Sequence, residues 1–300
     1  AQILIGIGWA SLIPLTLIAA ALSPVLELHV VVSSLALYFL IAGVFVVLGV
    51  GSIRARPWAA ALSLSLAWVW LITGAATMAL SWWLLPGFWF QLGADSGLDT
   101  GAARMLALAV NLGLSLIYVV LPGAFVLFYR SPNVTATCRL RNPQPDWTQR
   151  CPPRLLALAV AFALGGLSII VVPAYGFVFP FFGRVLSGTA GAACWMVVFV
   201  LSCALARGTC RREPWAWWTA VAAAGVGGVS SGMTFAVADP GELLLGGLLP
   251  EQRGLLEDLW PASPWIHITV QALVWGSLIA YLFVVKPLFN PPLGRGEIDP

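Results

Sequence analysis

The sequence predicts an all-α polytopic membrane protein with eight transmembrane helices, arranged as two parallel four-helix repeats. Hydrophobic residues make up 60% of the chain and charged residues only 9%, whereas a soluble domain carries roughly 25% charged residues. Eight apolar stretches each approach the ~20 residues that cross a bilayer. These stretches are continuous rather than alternating, so helices rather than strands are expected in them.

The eight spans follow one another with short polar connections. The first is interpreted as a span rather than a signal peptide, because no small-residue cleavage site follows it. The expected bounds are Ile3–Leu22, Val31–Gly51, Trp58–Leu80, Ala103–Phe128, Leu155–Tyr175, Gly188–Ala206, Trp215–Val237 and Trp265–Val285.

Basic residues concentrate on one side of this arrangement. The second, fourth and sixth connections and the C-terminal tail hold twelve of the fifteen Lys and Arg residues. Cytoplasmic loops carry such an excess of basic residues. Both termini are therefore predicted to be cytoplasmic.

The chain divides into two similar halves. We expect a first four-helix repeat over 1–130, a cytoplasmic Arg/Pro/Cys loop over 131–154, and a second repeat over 155–300 with an outer loop at 238–263. The motif Arg-x-x-Pro-Trp-Ala at Arg54–Ala59 recurs 157 positions later at Arg211–Ala216. Four spans per half give both halves the same orientation, which makes a parallel repeat. The alternative is chance, because Pro suits a first helical turn and Trp suits the membrane interface.

The central loop is the longest polar run, and its Pro and Asn content predicts turns. Its arginines are expected to contact anionic lipid headgroups or an acidic partner. Cys138 and Cys151 also lie in it, and both thiols are expected to be reduced, as is usual in a cytoplasmic loop. The proposed contact residues are Arg139, Arg141, Arg150 and Arg154.

Three polar residues in the fourth and eighth spans form a candidate binding pocket. Asn111 corresponds to His267 at an offset of 156, and Gln271 shares a helix face with His267. Together they could line a site for a lipid headgroup or a quinone carbonyl. The favoured alternative is that they form hydrogen bonds between helices.

The two histidines also suggest a cofactor hypothesis. His29 and His267 both lie at the predicted outer interface. Neutral imidazole can ligate haem iron or the magnesium of a chlorin. The simpler alternative is an interfacial side chain bonded to backbone or water, so no cofactor and no metal site is predicted.

Gly228-Val-Ser-Ser-Gly232 has the composition of a serine-hydrolase motif. A nucleophile elbow requires a strand, a turn and a helix in succession, and the surrounding run predicts one continuous helix. Close packing of small residues between helices explains the same pattern. No catalytic residue is therefore predicted.

The loop segment Phe128–Cys138, FYRSPNVTATC, and the following WTQRCP at Trp147–Pro152 carry a family resemblance. They resemble a loop signature of uncharacterised multi-span bacterial membrane proteins. The similarity covers about 25 residues together with the Arg-x-x-Pro-Trp motif. It implies a bacterial cytoplasmic membrane, and it implies no substrate and no catalytic residue.

The function predicted from these features is non-catalytic. No Asp, Glu, Lys or Arg lies near the middle of a span, although such residues mark ion and proton pathways. The favoured role is an accessory or scaffold subunit of a bacterial membrane complex, with protein partners in the membrane or at the outer loop. The alternatives are a small-molecule or lipid permease and a haem- or pigment-binding electron-transfer subunit. No nucleic-acid signature is found, and homo-oligomers are left open.

Overall fold

A computed structural model of the chain describes residues 1–22, 28–95, 100–144, 146–237 and 264–289. These residues are almost entirely helical. The α-helices are α1 (Gln2–Leu22), α2 (Leu28–Ile53), α3 (Pro57–Asp95), α4 (Thr100–Ser115), α5 (Leu121–Arg130), α6 (Pro132–Arg141), α7 (Pro153–Leu167), α8 (Gly188–Cys210), α9 (Pro214–Val237) and α10 (Pro264–Val285).

Eight helical segments of the described chain are long and apolar enough to cross a membrane. Their mean hydropathy lies between 1.5 and 2.6. The predicted all-α, multi-span architecture is confirmed at this level of length and composition. The segments are Gln2–Ala21, Leu28–Ile53, Pro57–Ala79, Arg104–Arg130, Pro153–Ile170, Gly188–Cys210, Pro214–Val237 and Ile268–Leu288.

The fourth span is interrupted by a π-helical turn at Leu116–Val120, which joins α4 to α5. Pro122 follows it and cannot donate the hydrogen bond that a regular helix requires. The backbone N–H of Leu121 instead reaches the carbonyl of Leu116, five residues earlier. In this widened turn, the Tyr118 carbonyl lies so close to Gly74 of α3 that a Cβ at position 74 would clash with it.

The chain forms two compact units, which are described separately. Unit 1 contains Ala1–Gln149 and Ile170–Gly176, and unit 2 contains Arg150–Ile169 with the described parts of the chain from Phe177 onward. In unit 1, α1 packs on α2, α2 on α3, and α3 on both α4 and α5. In unit 2, α7 packs on α8, α8 on α9, and α9 on α10. Within each unit, consecutive spans therefore pack in the same order.

A tight turn joins the second and third spans of unit 1. The backbone N–H of Arg56 donates to the carbonyl of Gly51 at 2.9 Å, and Ala55 takes a left-handed conformation with φ 49°. Gly51 is required here because a Cβ would lie 2.6 Å from that of Ala59 and 3.0 Å from the Trp58 ring. The glycine thus lets the two helices meet at the turn.

Unit 2 contains the same turn between its second and third spans. The backbone N–H of Glu213 donates to the carbonyl of Gly208 at 3.0 Å, and Arg212 has φ 57°. A Cβ on Gly208 would lie 2.8 Å from both Ala216 and the Trp215 ring. Every residue of this turn lies 157 positions after its counterpart in unit 1.

Two segments outside the spans differ from expectation. A ten-residue helix, α6, fills the first part of the central loop, where the sequence predicts turns. Pro132 begins it at a position that tolerates proline, after an extended Ser131. In unit 2, a short hairpin pairs β1 (Phe179–Phe181) with β2 (Arg184–Leu186), in a segment for which the sequence predicts no regular structure.

Candidate functional site

The residues of the predicted polar pocket belong to different units, and each is described within its own unit. Asn111 in unit 1 is only 2% exposed, and its Nδ2 donates to the carbonyl of Ala107 at 3.0 Å. Gln271 in unit 2 accepts a hydrogen bond from Trp275 Nε1 at 3.1 Å. The side chain of His267 lies outside the described residues. A shared pocket of these residues therefore stays a prediction.

The histidine pair is likewise described only in part. His29 lies in the first turn of α2 and is exposed. Because the His267 side chain is not described, ligation of a haem or chlorin by the pair stays a hypothesis. Among the described residues, no group of three or more His, Cys, Asp or Glu side chains could hold a metal ion.

Ser230 holds the hairpin of unit 2 against α9. Its Oγ donates to the carbonyl of Pro180 at 3.0 Å and accepts the backbone N–H of Phe182 at 3.0 Å. One turn further along α9, Thr234 Oγ1 accepts the N–H of Gly183 at 3.1 Å. Both hydroxyls thus satisfy backbone groups of the hairpin.

Ser231 joins α9 to α10. Its Oγ donates to the carbonyl of Gly227 at 2.8 Å and accepts the indole N–H of Trp275 at 3.0 Å. A Cβ on Gly227 would lie 2.8 Å from the Trp275 ring, and one on Gly228 would lie 3.2 Å away. Ser231 and Gly228 of the Gly-x-Ser-Ser-Gly segment thus pack α9 against Trp275 of α10.

A buried polar network that the sequence analysis does not single out joins the four spans of unit 1. Gln2 of α1 donates through Nε2 to Ser63 Oγ of α3 at 2.8 Å. Ser52 of α2 donates to Gln2 Oε1 at 3.2 Å, and its hydroxyl lies 2.9 Å from the Tyr129 hydroxyl of α5. The signal in the sequence is one polar residue at the same end of each span.

The matching positions of unit 2 lack this network. Ala159, Thr209 and Ala220 lie 157 positions after Gln2, Ser52 and Ser63, and Val285 lies 156 positions after Tyr129. The four unit 2 residues are all buried. Thr209 Oγ1 consequently has no hydrogen-bond partner among the described residues.

The predicted contact arginines are all exposed. Arg139 and Arg141 end α6 in unit 1. In unit 2, the carbonyl of Arg150 accepts a hydrogen bond from the Arg212 side chain at 2.7 Å, and that of Arg154 accepts one from the Tyr281 hydroxyl at 3.0 Å. The backbone at these two positions is therefore fixed while the guanidinium groups face outward.

A polar pocket of about 430 Å³ lies where the segment after α6 meets the start of α3. Asn142 Nδ2 donates to the carbonyl of Ala55 at 2.9 Å, which fixes the end of α6 to the turn between α2 and α3. Asp146 Oδ2 accepts the backbone N–H of Trp58 at 3.1 Å, so it satisfies a free donor in the first turn of α3. Arg56 and Arg141 both line the pocket.

The thiols of the central segment are buried. Burial raises the pKa of the Cys138 thiol in unit 1 above its usual value. In unit 2, a hydrogen bond with the Cys210 side chain, and burial after it, raise the pKa of the Cys151 thiol. All five cysteines are free.

Comparison with known proteins adds no assignment to these sites. No family model, no curated protein and no solved structure matches the chain. Any functional role therefore has to be argued from the geometry of the described residues.

Proposed function

We propose that the chain is a non-catalytic accessory or scaffold subunit of a bacterial membrane protein complex. The main support is the network of Gln2, Ser52, Ser63 and Tyr129, which joins the four spans of unit 1 through hydrogen bonds. Buried polar groups of this kind hold helices together. Such a fixed arrangement of the spans supports a structural role.

The proposed orientation places both termini in the cytoplasm of a bacterium. It rests on the distribution of basic residues, including the exposed Arg139, Arg141, Arg150 and Arg154, which would face anionic lipids or an acidic partner. Alkaline phosphatase fused after Asp99, which lies outside the described residues, should be active. The same enzyme fused after Gln144 should be inactive, and the reverse pattern would overturn the orientation.

A small-molecule or lipid permease is the second candidate. The turns at Gly51 and Gly208 share the same hydrogen bonds, left-handed residue and tryptophan contact at an offset of 157. This correspondence favours an internal duplication, and two halves of four spans would insert in the same orientation. Parallel repeats of this kind occur in transporters.

One preparation distinguishes the candidates. The protein is tagged at its C-terminus, extracted in mild detergent, and examined for co-purifying proteins and visible absorption. Stoichiometric partners support the subunit. A colourless, homogeneous protein without partners contradicts it, and substrate-dependent thermal shifts in liposomes then test the permease. A visible band lost on changing His29 or His267 would support the electron-transfer alternative instead.

A further inference from the structure

The pocket between α6 and α3 is bordered by two hydrogen bonds between residues that are distant in sequence. Two contacts across 87 and 88 residues of sequence form it, from Asn142 to the carbonyl of Ala55 and from the Trp58 N–H to Asp146. Its volume of about 430 Å³ falls within the roughly 300–1,000 Å³ typical of small-molecule sites. Both contacts lie within unit 1.

Two arginines give this pocket unused hydrogen-bonding capacity. Arg56 and Arg141 line it and are exposed, and neither guanidinium makes a hydrogen bond or ion pair with another described residue. An arginine fork matches the oxygens of a phosphate and binds them with two parallel hydrogen bonds. The free donors therefore favour a phosphate-bearing ligand.

The third charged group of the pocket limits the charge of that ligand. Asp146 accepts the N–H of Trp58 through Oδ2 and the N–H of Trp147 through Oδ1, at 3.1 and 2.7 Å. Its carboxylate thus stays in the wall, and the three charged side chains carry one net positive charge at neutral pH. A phosphodiester carries one negative charge and balances them, whereas a phosphomonoester carries about −1.5 to −2.

The pocket also lies at the end of a candidate span. Trp58 belongs to the first turn of the apolar segment Pro57–Ala79, and tryptophan is enriched at membrane interfaces. A phosphodiester headgroup bound here would have its acyl chains beside the apolar surface of that span. Exposed Gln144 adds an amide at the pocket for the polar part of a headgroup.

We propose that the pocket formed by Arg56, Arg141 and Asp146 binds a phosphodiester headgroup. The ligand is a phospholipid with one negative charge, or the same headgroup free in solution. This site is independent of whether the chain is a scaffold or a permease. It also gives Arg141 a specific role among the exposed arginines of the central segment.

Full-length protein in mild detergent tests the site with three probes. Phosphatidylglycerol presents the phosphodiester on acyl chains, glycerophosphoglycerol presents it without them, and diacylglycerol presents the chains alone. Binding is followed by native mass spectrometry and by thermal shift. The variants are Arg56→Gln and Arg141→Gln, with Arg130→Gln as the matched control because Arg130 is also an exposed arginine at a helix end of unit 1 but does not line the pocket.

We expect each pocket variant to weaken phosphatidylglycerol binding roughly ten- to hundredfold, the range for losing a charged hydrogen bond, and the control to bind as the native chain does. If glycerophosphoglycerol binds as tightly as phosphatidylglycerol, the natural ligand is a soluble headgroup. If glycerophosphoglycerol does not bind, the natural ligand is a membrane lipid. The proposal is overturned if the two pocket variants and the control weaken binding equally, or if diacylglycerol binds as tightly as phosphatidylglycerol. It is also overturned if neither phosphodiester binds. Arg56→Lys and Arg141→Lys keep the charge but lose the fork, so they show the expected weakening if a glutamine variant does not fold.

Discussion

Replacing Thr209 with valine removes a buried hydroxyl and nearly preserves the shape of the side chain. Thr209 is fully buried, and its Oγ1 has no partner among the described residues. A buried polar group without a hydrogen bond costs about 1–3 kcal/mol. The lower end applies, because single hydrogen bonds between membrane helices average only about 0.6 kcal/mol. We therefore expect T209V to raise the free energy of unfolding by about 1 kcal/mol, roughly a fivefold change in the folded-to-unfolded ratio.

The assay is reversible unfolding in mixed micelles with increasing dodecyl sulfate, followed by circular dichroism. The matched control is Ser52→Ala, at the equivalent position of unit 1. It removes the bonds of Ser52 to Gln2 and Tyr129, and we expect it to lower stability by about 0.6–1.7 kcal/mol, as other hydrogen bonds between membrane helices do. If T209V lowered stability as much as S52A does, the Thr209 hydroxyl would have a partner and the comparison of the units would be wrong.

Three further predictions concern glycines, a serine and a thiol. Gly51→Ala and Gly208→Ala should each lower the free energy of unfolding by about 1–3 kcal/mol through overpacking. The control Gly43→Ala, with open space around its Cα, should raise the free energy of unfolding by up to about 1 kcal/mol. Equal effects of the three substitutions would contradict the matched turns. Ser231→Ala should cost roughly 1 kcal/mol or less, since the Trp275 indole keeps a second acceptor in Gln271; a larger loss of stability would contradict that second bond. Because the pKa of Cys151 is raised above its ordinary 9.0, maleimide should alkylate Cys151 slowly at neutral pH and quickly in dodecyl sulfate, as followed by peptide mass spectrometry. The contribution of Cys151 to stability should be lost as the pH rises above 9.0. Rapid alkylation of Cys151 in the folded protein would refute this, whatever the other four free thiols do.

The spans could be predicted from the sequence because each depends on a local property. A run of about 20 apolar residues forms a helix in a bilayer whatever its neighbours are. The predicted Val31–Gly51 differs from the observed Leu28–Ile53 by two or three residues at each end. The helix α3 runs on to Asp95, beyond the predicted end at Leu80, through the further apolar and aromatic run Trp82–Phe90.

The candidate site could not be predicted because it depends on contacts between distant residues. Asp146 satisfies the N–H of Trp58 across 88 positions, and no local pattern marks that pairing. The Arg-x-x-Pro-Trp motif did locate the turn that forms one wall of the pocket. What the motif could not show is that the end of α6 closes the other side through Asn142.

The hairpin of unit 2 has a consequence for the order in which the protein folds. Its two-residue turn, Phe182–Gly183, has positive φ at both positions, 43° and 84°, an arrangement that usually requires Asn-Gly. Phenylalanine does not favour that conformation, and the amides of both residues are instead held by Ser230 and Thr234. These serine and threonine residues are synthesised about 50 residues later than the turn. We therefore expect the hairpin to stay open on the ribosome until α9 has emerged, and Phe182→Asn to let it close earlier.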